Sequence, residues 1–277
     1  MDTIMTQPEN YVLGHTDSEL QRLITQSRFY GDLSEQALRM AGIKPGMRVL
    51  DVGCGSGDVS FLVASIVGPN GSVIGVDRSE TTIELAQKRA RQAGLQNVTF
   101  EVGDVSSYRL SEPVDAIVGR LVIIHLPNPV ETLRHLIELV KPGGIVLFEE
   151  LDISTAYSVP ESPLFSNTLK LLIDTFRHAG FEPNTGSQLY SLFRQVGLSE
   201  PQLIAGSRVE GGTVSGVYAY FAETVRSMLP LIVRLGLATE KQIEIETFID
   251  RLRSEVTGMG GIIVTPILIS AWAQRPA

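Results

Sequence analysis

Residues 47–53, MRVLDVG, make a short apolar run that stops in glycine, and apolar residues in helical spacing follow from Val59 to Val67. A strand, a tight turn and a helix in that order form a unit, and the unit recurs. SVIGVD (72–77) precedes a helix over 80–93, VTFEVGD (98–104) precedes a loop, VDAIVGR (114–120) precedes a helix over 129–140, and GGIVLFEE (143–150) follows. Five β-rich runs separated by helical text within about a hundred residues predict an α/β fold with a mostly parallel sheet. Between 72 and 150 the runs are nearly continuously apolar, as strands are when helices cover both faces of their sheet.

The flanks read differently. From 16 to 42, Leu20, Leu23, Ile24, Leu33, Ala37, Leu38 and Ala41 fall broadly in helical spacing, read as two helices. Thr16 or Asp17 suits the first as a cap, with Glu19 near the capping-box position, and Gly42 suits the end of the second. After Leu151 come helical segments at 163–180 and 186–197, a strand candidate QLIAGSRV (202–209), a more helical stretch over 215–257 and a last β-rich run, IIVTPILISAWAQ (262–274). The expected organisation is an N-terminal helical segment (1–42), a Rossmann-like core (43–150), and a remainder (151–277) that completes the sheet around a helical cap inserted at about 213–258. No Gly-, Ser- or Pro-rich linker and no repeat divides the 277 residues, so one integrated domain is expected.

Charge narrows the partners. With 23 basic and 31 acidic residues, a formal charge of −8, the surface is unsuited to neutralising phosphate backbones, and nucleic acid is disfavoured. No uninterrupted apolar run reaches the roughly eighteen residues of a membrane span. The one cysteine, Cys54, allows neither an internal disulfide nor a Cys-rich zinc site, no metal cluster is evident, and MDTIMTQPEN lacks a basic-then-apolar leader. A cytoplasmic location is the expectation. Nothing in the sequence encodes an oligomeric state.

The glycine turn carries most of the chemistry. Gly53, Gly55 and Gly57 at alternate positions let backbone approach a ligand where a Cβ would clash, and the helix that follows offers unpaired N–H groups. In the dinucleotide pattern G-x-G-x-x-G the third glycine would fall at 58, where this chain has an aspartate that would repel a pyrophosphate. An NAD-dependent dehydrogenase is therefore the weaker reading. Asp51 and Asp58 suit a ligand carrying positive charge, such as an amino group or a sulfonium.

VLDVGCGSG resembles motif I of the class I S-adenosylmethionine-dependent methyltransferases, bacterial small-molecule type. The likeness extends in order through IGVDRS (74–79), FEVGDV (100–105), VDAIVGRLVIIHLPNP (114–129) and LVKPGGIVLFEE (139–150), and YVLGH (11–15) is similar to the family's opening segment. The resemblance implies a mostly parallel seven-stranded sheet and S-adenosylmethionine as cofactor. Asp77, 26 residues after Asp51, has the acceptor oxygens for two ribose hydroxyls. By resemblance Arg78 packs near the adenine, and in the Gly103-Asp104-Val105 segment Asp104 accepts from the exocyclic amine and the Val105 N–H meets a ring nitrogen. Gly53 and Gly55 line the methionine portion, Arg120 lies where the fourth strand meets it, and Tyr11 folds over the cofactor.

Among four histidines, His135 and His178 sit in helical text as surface or satisfied polar residues, and His15 lies in the opening segment. His125 follows the fourth strand, close to where a methyl acceptor would lie, and is the candidate general base beside an equally good reading as a loop residue before Pro127. Cys54 reads as packing rather than as a nucleophile. Glu149 and Glu150 point to opposite faces, so one of them at most takes a substrate role on a given side. Apolar residues of 215–257 such as Tyr220 and Phe221 suit core packing or an acceptor pocket. The expected function is methyl transfer to an oxygen, nitrogen or carbon of a small, apolar acceptor. The alternative from another class is a protein that keeps the cofactor but binds a partner or templates a rearrangement.

Overall fold

The computed structural model describes residues 17–276, with side chains from Phe29 onward. Tyr11, His15 and the Thr16 cap lie outside the described residues. The elements are α1 (Asp17–Ala41), β1 (Arg48–Val52), α2 (Asp58–Val67), β2 (Ser72–Asp77), α3 (Glu80–Gln92), β3 (Val98–Val102), β4 (Val114–Arg120), α4 (Pro129–Glu138), β5 (Val140–Asp152), β6 (Tyr157–Val159), α5 (Pro163–His178), α6 (Leu189–Gln195), β7 (Gln202–Gly206), β8 (Val209–Gly211), α7 (Val217–Arg234), α8 (Glu240–Ile243), α9 (Phe248–Gly258), β9 (Ile262–Val264) and β10 (Ile267–Gln274).

Seven strands form the main sheet in the order β3-β2-β1-β4-β5-β10-β7. Its pairs are parallel except that β10 runs antiparallel to both β5 and β7. Strand alternation sorts the core into two layers. Val49, Val73, Ala116 and Leu147 face α1, α2 and α3, whereas Leu50, Val76, Ile117 and Phe148 face α4 and α6. A third cluster packs Phe29 and Tyr30 of α1 against α5, α7 and α9, which builds a helical layer beyond the strand ends. Among the described residues no helix is long and apolar enough to cross a membrane.

Three differences from the sequence expectations have local causes. Residues 17–41 form one helix rather than two. Gly31 costs such a helix only about 1 kcal/mol, and the burial of Tyr30, Ala37 and Leu38 on either side of it holds the turns in line. The last β-rich run breaks at Thr265-Pro266 into β9 and β10, which belong to different sheets. Proline cannot donate to a ladder, and Thr265 turns to donate its N–H to the Arg208 carbonyl at 2.9 Å. The run 202–209 breaks at the same level into β7 and β8, so β8 and β9, with the unforeseen β6, make a small antiparallel sheet, β6-β9-β8.

In the main sheet β1 lies between β2 and β4, so the chain leaves β1 towards one edge and returns on its other side. Such a reversal opens a crevice beyond the carboxyl ends of the strands, the usual ligand position in open α/β sheets.

Candidate functional site

A cavity of about 370 Å³ occupies that crevice. The turns after β1, β2 and β3 wall one half, and the segments after β4 and β5 with α5 and α7 wall the other.

In the turn after β1, Gly53, Gly55 and Gly57 have φ of +64°, +51° and +88°. A side chain is strained in that left-handed region, which is why the sequence needs glycine there. No side chain caps α2 at Gly57. Asp77, at the end of β2, accepts the Gly55 N–H at Oδ2 (3.0 Å) and the Ser79 N–H at Oδ1 (2.9 Å). Its carboxylate ties the glycine turn to the start of α3, while Ser79 itself caps α3 by accepting the Thr82 N–H. A carboxylate has about four acceptor sites, so each Asp77 oxygen keeps acceptor capacity. Asp104 repeats the arrangement after β3. Its Oδ1 accepts the Ser106 N–H (2.8 Å) and Oγ–H (2.7 Å), and those bonds, with Arg78 nearby, hold its carboxyl below the usual range. Arg78, Gly103 and Val105 line the same wall.

Asp51 and Arg120 form the floor. Asp51 is buried and accepts the Ser60 hydroxyl at 2.6 Å. Burial pushes its carboxyl up to about 7, against the pull of the Ser60 bond and the Arg120 charge. Arg120 donates from Nη1 to Ser34 Oγ at 3.1 Å. A carboxyl raised in the folded state binds its proton more tightly folded than unfolded, so folding is favoured below the window and stability falls as pH rises from about 4 to about 7. Ligand-free Asp51→Asn protein is expected to lose less stability than the wild type between pH 5 and pH 7.5 in urea unfolding. Equal slopes would refute the linkage.

Asp58 lines the cavity as well, but its carboxylate is already engaged by the protein. Arg89 of α3 donates to its Oδ1 at 2.7 Å and Ser56 donates to its Oδ2 at 2.8 Å. Arg89 also lies over the Phe61 ring, 5.1 Å from its centre. Asp58 therefore holds the glycine turn to α3, and the repulsion expected of it towards a pyrophosphate is largely cancelled.

The other half is mostly apolar, with Leu172 and Phe176 from α5 and Tyr220 and Phe221 from α7. The Tyr220 hydroxyl lies 3.5 Å from that of buried Tyr30. Leu121, next after Arg120, has φ +58°, an uncommon conformation for a residue with a side chain. Its N–H donates to the Glu149 carbonyl at 2.8 Å. The following 3₁₀ turn, Ile123–His125, is stapled to β5, because Glu150 Oε1 accepts the N–H groups of both Val122 (2.8 Å) and Ile123 (2.6 Å). Glu150 is buried in the cavity wall, and its other oxygen, Oε2, has no partner among the described residues. Burial, with the Glu149 charge adding, pushes its carboxyl up to about 8 against the pull of the Ile123, Val122 and Ile124 N–H groups. Glu149 points the other way and accepts the Ser270 hydroxyl at 2.7 Å.

The turn carries half-buried His125 to the cavity wall, its ring centre 6.0 Å from that of Phe181. Cys54 lines the cavity too, but burial pushes its thiol well up, away from nucleophilic use. His135 Nε2 bonds to the Tyr108 carbonyl and His178 Nδ1 to that of Asp174, satisfied polar residues as the sequence suggested. Of the sequence candidates, Asp51, Gly53, Gly55, Asp77, Arg78, Gly103, Asp104, Val105, Arg120 and His125 thus line one cavity.

Known proteins agree with this architecture. The profile of the methyltransferase-domain family matches residues 43–197. The 2-phytyl-1,4-naphtoquinone methyltransferase of Synechococcus elongatus is 37% identical over 124 residues, 44% of this chain and 52% of that protein. The demethylmenaquinone methyltransferase of Bacillus cytotoxicus is 30% identical over 114 residues, 41% of this chain and 48% of that protein. The chain spans about half the length of these curated relatives. Among solved structures, the YcgJ protein of Bacillus subtilis superposes with a TM-score of 0.55 at 18% identity over 89% of this chain and 99% of its own, a likeness of fold. With the profile covering more than half of its length, the chain belongs to the methyltransferase-domain family.

Proposed function

We propose that this protein binds S-adenosylmethionine against the turns after β1, β2 and β3 and directs its methyl group to a small molecule held in the apolar half of the cavity. The observation that carries the reading is the Asp77 carboxylate, fixed by the Gly55 and Ser79 N–H groups with acceptor capacity left at both oxygens. That donor set fits the cofactor: a rigid double acceptor suits vicinal ribose hydroxyls, and a neighbouring glycine turn admits a chain close to backbone. Asp104 Oδ2 and the Val105 N–H are the adenine contacts, with Arg78 packed beside them. Gly53 and Gly55 line the methionine portion, Arg120 pairs with its carboxylate, and Asp51 lies on the floor beneath. Tyr11, outside the described residues, is proposed to cover the cofactor.

S-adenosylmethionine supplies a methyl group on an electron-poor sulfonium sulfur. The protein's task is then alignment of the acceptor atom and exclusion of water. The apolar walls from α5 and α7 do the latter. His125 takes the acceptor's proton where the nucleophile is a phenol, an enolisable carbon or another protonated group. The relatives' names point to bicyclic quinone-like rings, and the apolar half suits such an acceptor.

Calorimetry with S-adenosylhomocysteine and with NAD, followed by transfer of labelled methyl to a reduced naphthoquinone, tests the reading. Heat with S-adenosylhomocysteine alone and labelled product are expected. Heat without product from any acceptor would favour a cofactor-binding protein that does not transfer methyl groups. The His125→Phe variant is expected to slow transfer by about two orders of magnitude and to remove the acid limb of the pH profile. An unchanged rate across pH would remove the base role.

A further inference from the structure

The sheet face that packs under α1 is apolar through Val49, Ala116, Val118, Ile145, Leu147 and Trp272, and then turns polar where it borders the cavity. There Arg120 of β4 stands in register with Glu149 of β5, and Glu149 with Ser270 of β10. The helix above answers in kind. Its buried stripe is Tyr30, Ser34, Ala37 and Leu38, and the hydroxyl of Ser34 meets the polar row. Ser34 Oγ accepts from Arg120 Nη1 at 3.1 Å, and its own O–H donates to Glu149, which also takes the Ser270 hydroxyl at 2.7 Å. Buried ionic groups are a poor way to hold a fold together, since apolar side chains of similar volume often serve as well or better. Fixing one arm of a guanidinium is useful where its other arm meets a ligand. Arg120 is half-buried and lies in the cavity wall, with Ser34 as its one hydrogen-bonded side chain among the described residues.

We propose, building on the reading that Arg120 pairs with the cofactor's carboxylate, that Ser34 is a positioning residue for cofactor binding: oriented by Glu149 behind it, its hydroxyl holds the Arg120 guanidinium at the angle that meets the carboxylate of S-adenosylmethionine. Ser34 is fully buried and acts only through Arg120. By this route α1 belongs to the cofactor site. Without the hydroxyl the guanidinium turns towards the carboxyls of Asp51 and Glu149, both of which already feel its charge. The cofactor's carboxylate then competes for a cation that is no longer aimed at it. Asp77 and Asp104 stand on other strands, so the loss is confined to the share of affinity that comes from the carboxylate.

The test uses the full chain and compares by calorimetry S-adenosylhomocysteine with its decarboxylated analogue, which keeps the adenosyl thioether and the amine and lacks the carboxylate alone. The wild type is expected to bind the carboxylate-bearing ligand at least about tenfold more tightly, the effect of one charge-assisted hydrogen bond. Ser34→Ala should cut that preference to about threefold or less while binding the decarboxylated analogue within about twofold of the wild type. A merely structural role for Ser34 would weaken both ligands alike, and that result overturns the inference, as does an undiminished preference. Alanine is the best helix former. Where it nevertheless disturbs packing, Ser34→Cys decides: its sulfur is a weak acceptor, so the preference should fall there too, and a preference equal to that of the wild type overturns the inference. Arg120→Met reports on the underlying assignment, since a preference that survives in it places the carboxylate elsewhere. Absence of heat from S-adenosylhomocysteine with the wild type would sink the methyltransferase reading itself.

Discussion

Replacing Asp77 by alanine is expected to weaken S-adenosylhomocysteine binding by about a hundredfold. Hydrogen bonds to a charged acceptor contribute about 1.5–3 kcal/mol each, so two ribose hydroxyls on one carboxylate put the loss at about 3 kcal/mol, or two orders of magnitude in Kd. The alanine also strips partners from the Gly55 and Ser79 N–H groups, so the glycine turn and the start of α3 lose their shared anchor. Asparagine keeps one acceptor oxygen and is expected to lie between the wild type and alanine. Calorimetry measures the affinities, and thermal unfolding of the same samples separates loss of binding from loss of fold. Folded Asp77→Ala protein that binds within about threefold of the wild type would be incompatible with the ribose assignment.

Much of this site is legible in the sequence because its parts are local. A strand that ends in Gly53, Gly55 and Gly57 announces a turn with positive φ, since other residues adopt that conformation at a cost. Asp77 and Asp104 stand at strand ends, and the spacing of β1 to β5 places those ends side by side. The parts that escape are contacts across long stretches of chain. Asp58 reads as a free anion, and only the fold shows Arg89, 31 residues on, taking its charge. The bond from Glu150 to Val122 joins residues 28 apart, and alternation along β5 shows only that Glu149 and Glu150 diverge. The two splits, at 206–209 and 264–267, escape for a related reason. Pro266 marks a break in pairing, but which sheet each fragment joins depends on what lies beside it.

Gly53→Ala is expected to be the most damaging single substitution in the glycine turn, destabilising the fold by about 2–5 kcal/mol. A non-glycine residue at φ +64° costs about 1–2 kcal/mol. The added Cβ would also overlap Val122 Cγ2, and overpacking of this kind costs about 1–3 kcal/mol. Val122 has little room to yield, because it is buried and its N–H is held by Glu150 Oε1. The two contributions separate in a double-mutant cycle. Val122→Ala removes the overlap but not the φ cost, so the double variant should be more stable than the sum of the single effects by about 1 kcal/mol or more, read from urea unfolding. Additivity within about 0.5 kcal/mol would mean that the close approach is not what forbids a side chain at 53. Coupling of the expected size makes Gly53 and Val122 one mechanical contact between the glycine turn and the wall that carries His125. A shift imposed on either half of the cavity is then felt in the other, and Gly53→Ala should misplace His125 as well as weaken S-adenosylhomocysteine binding.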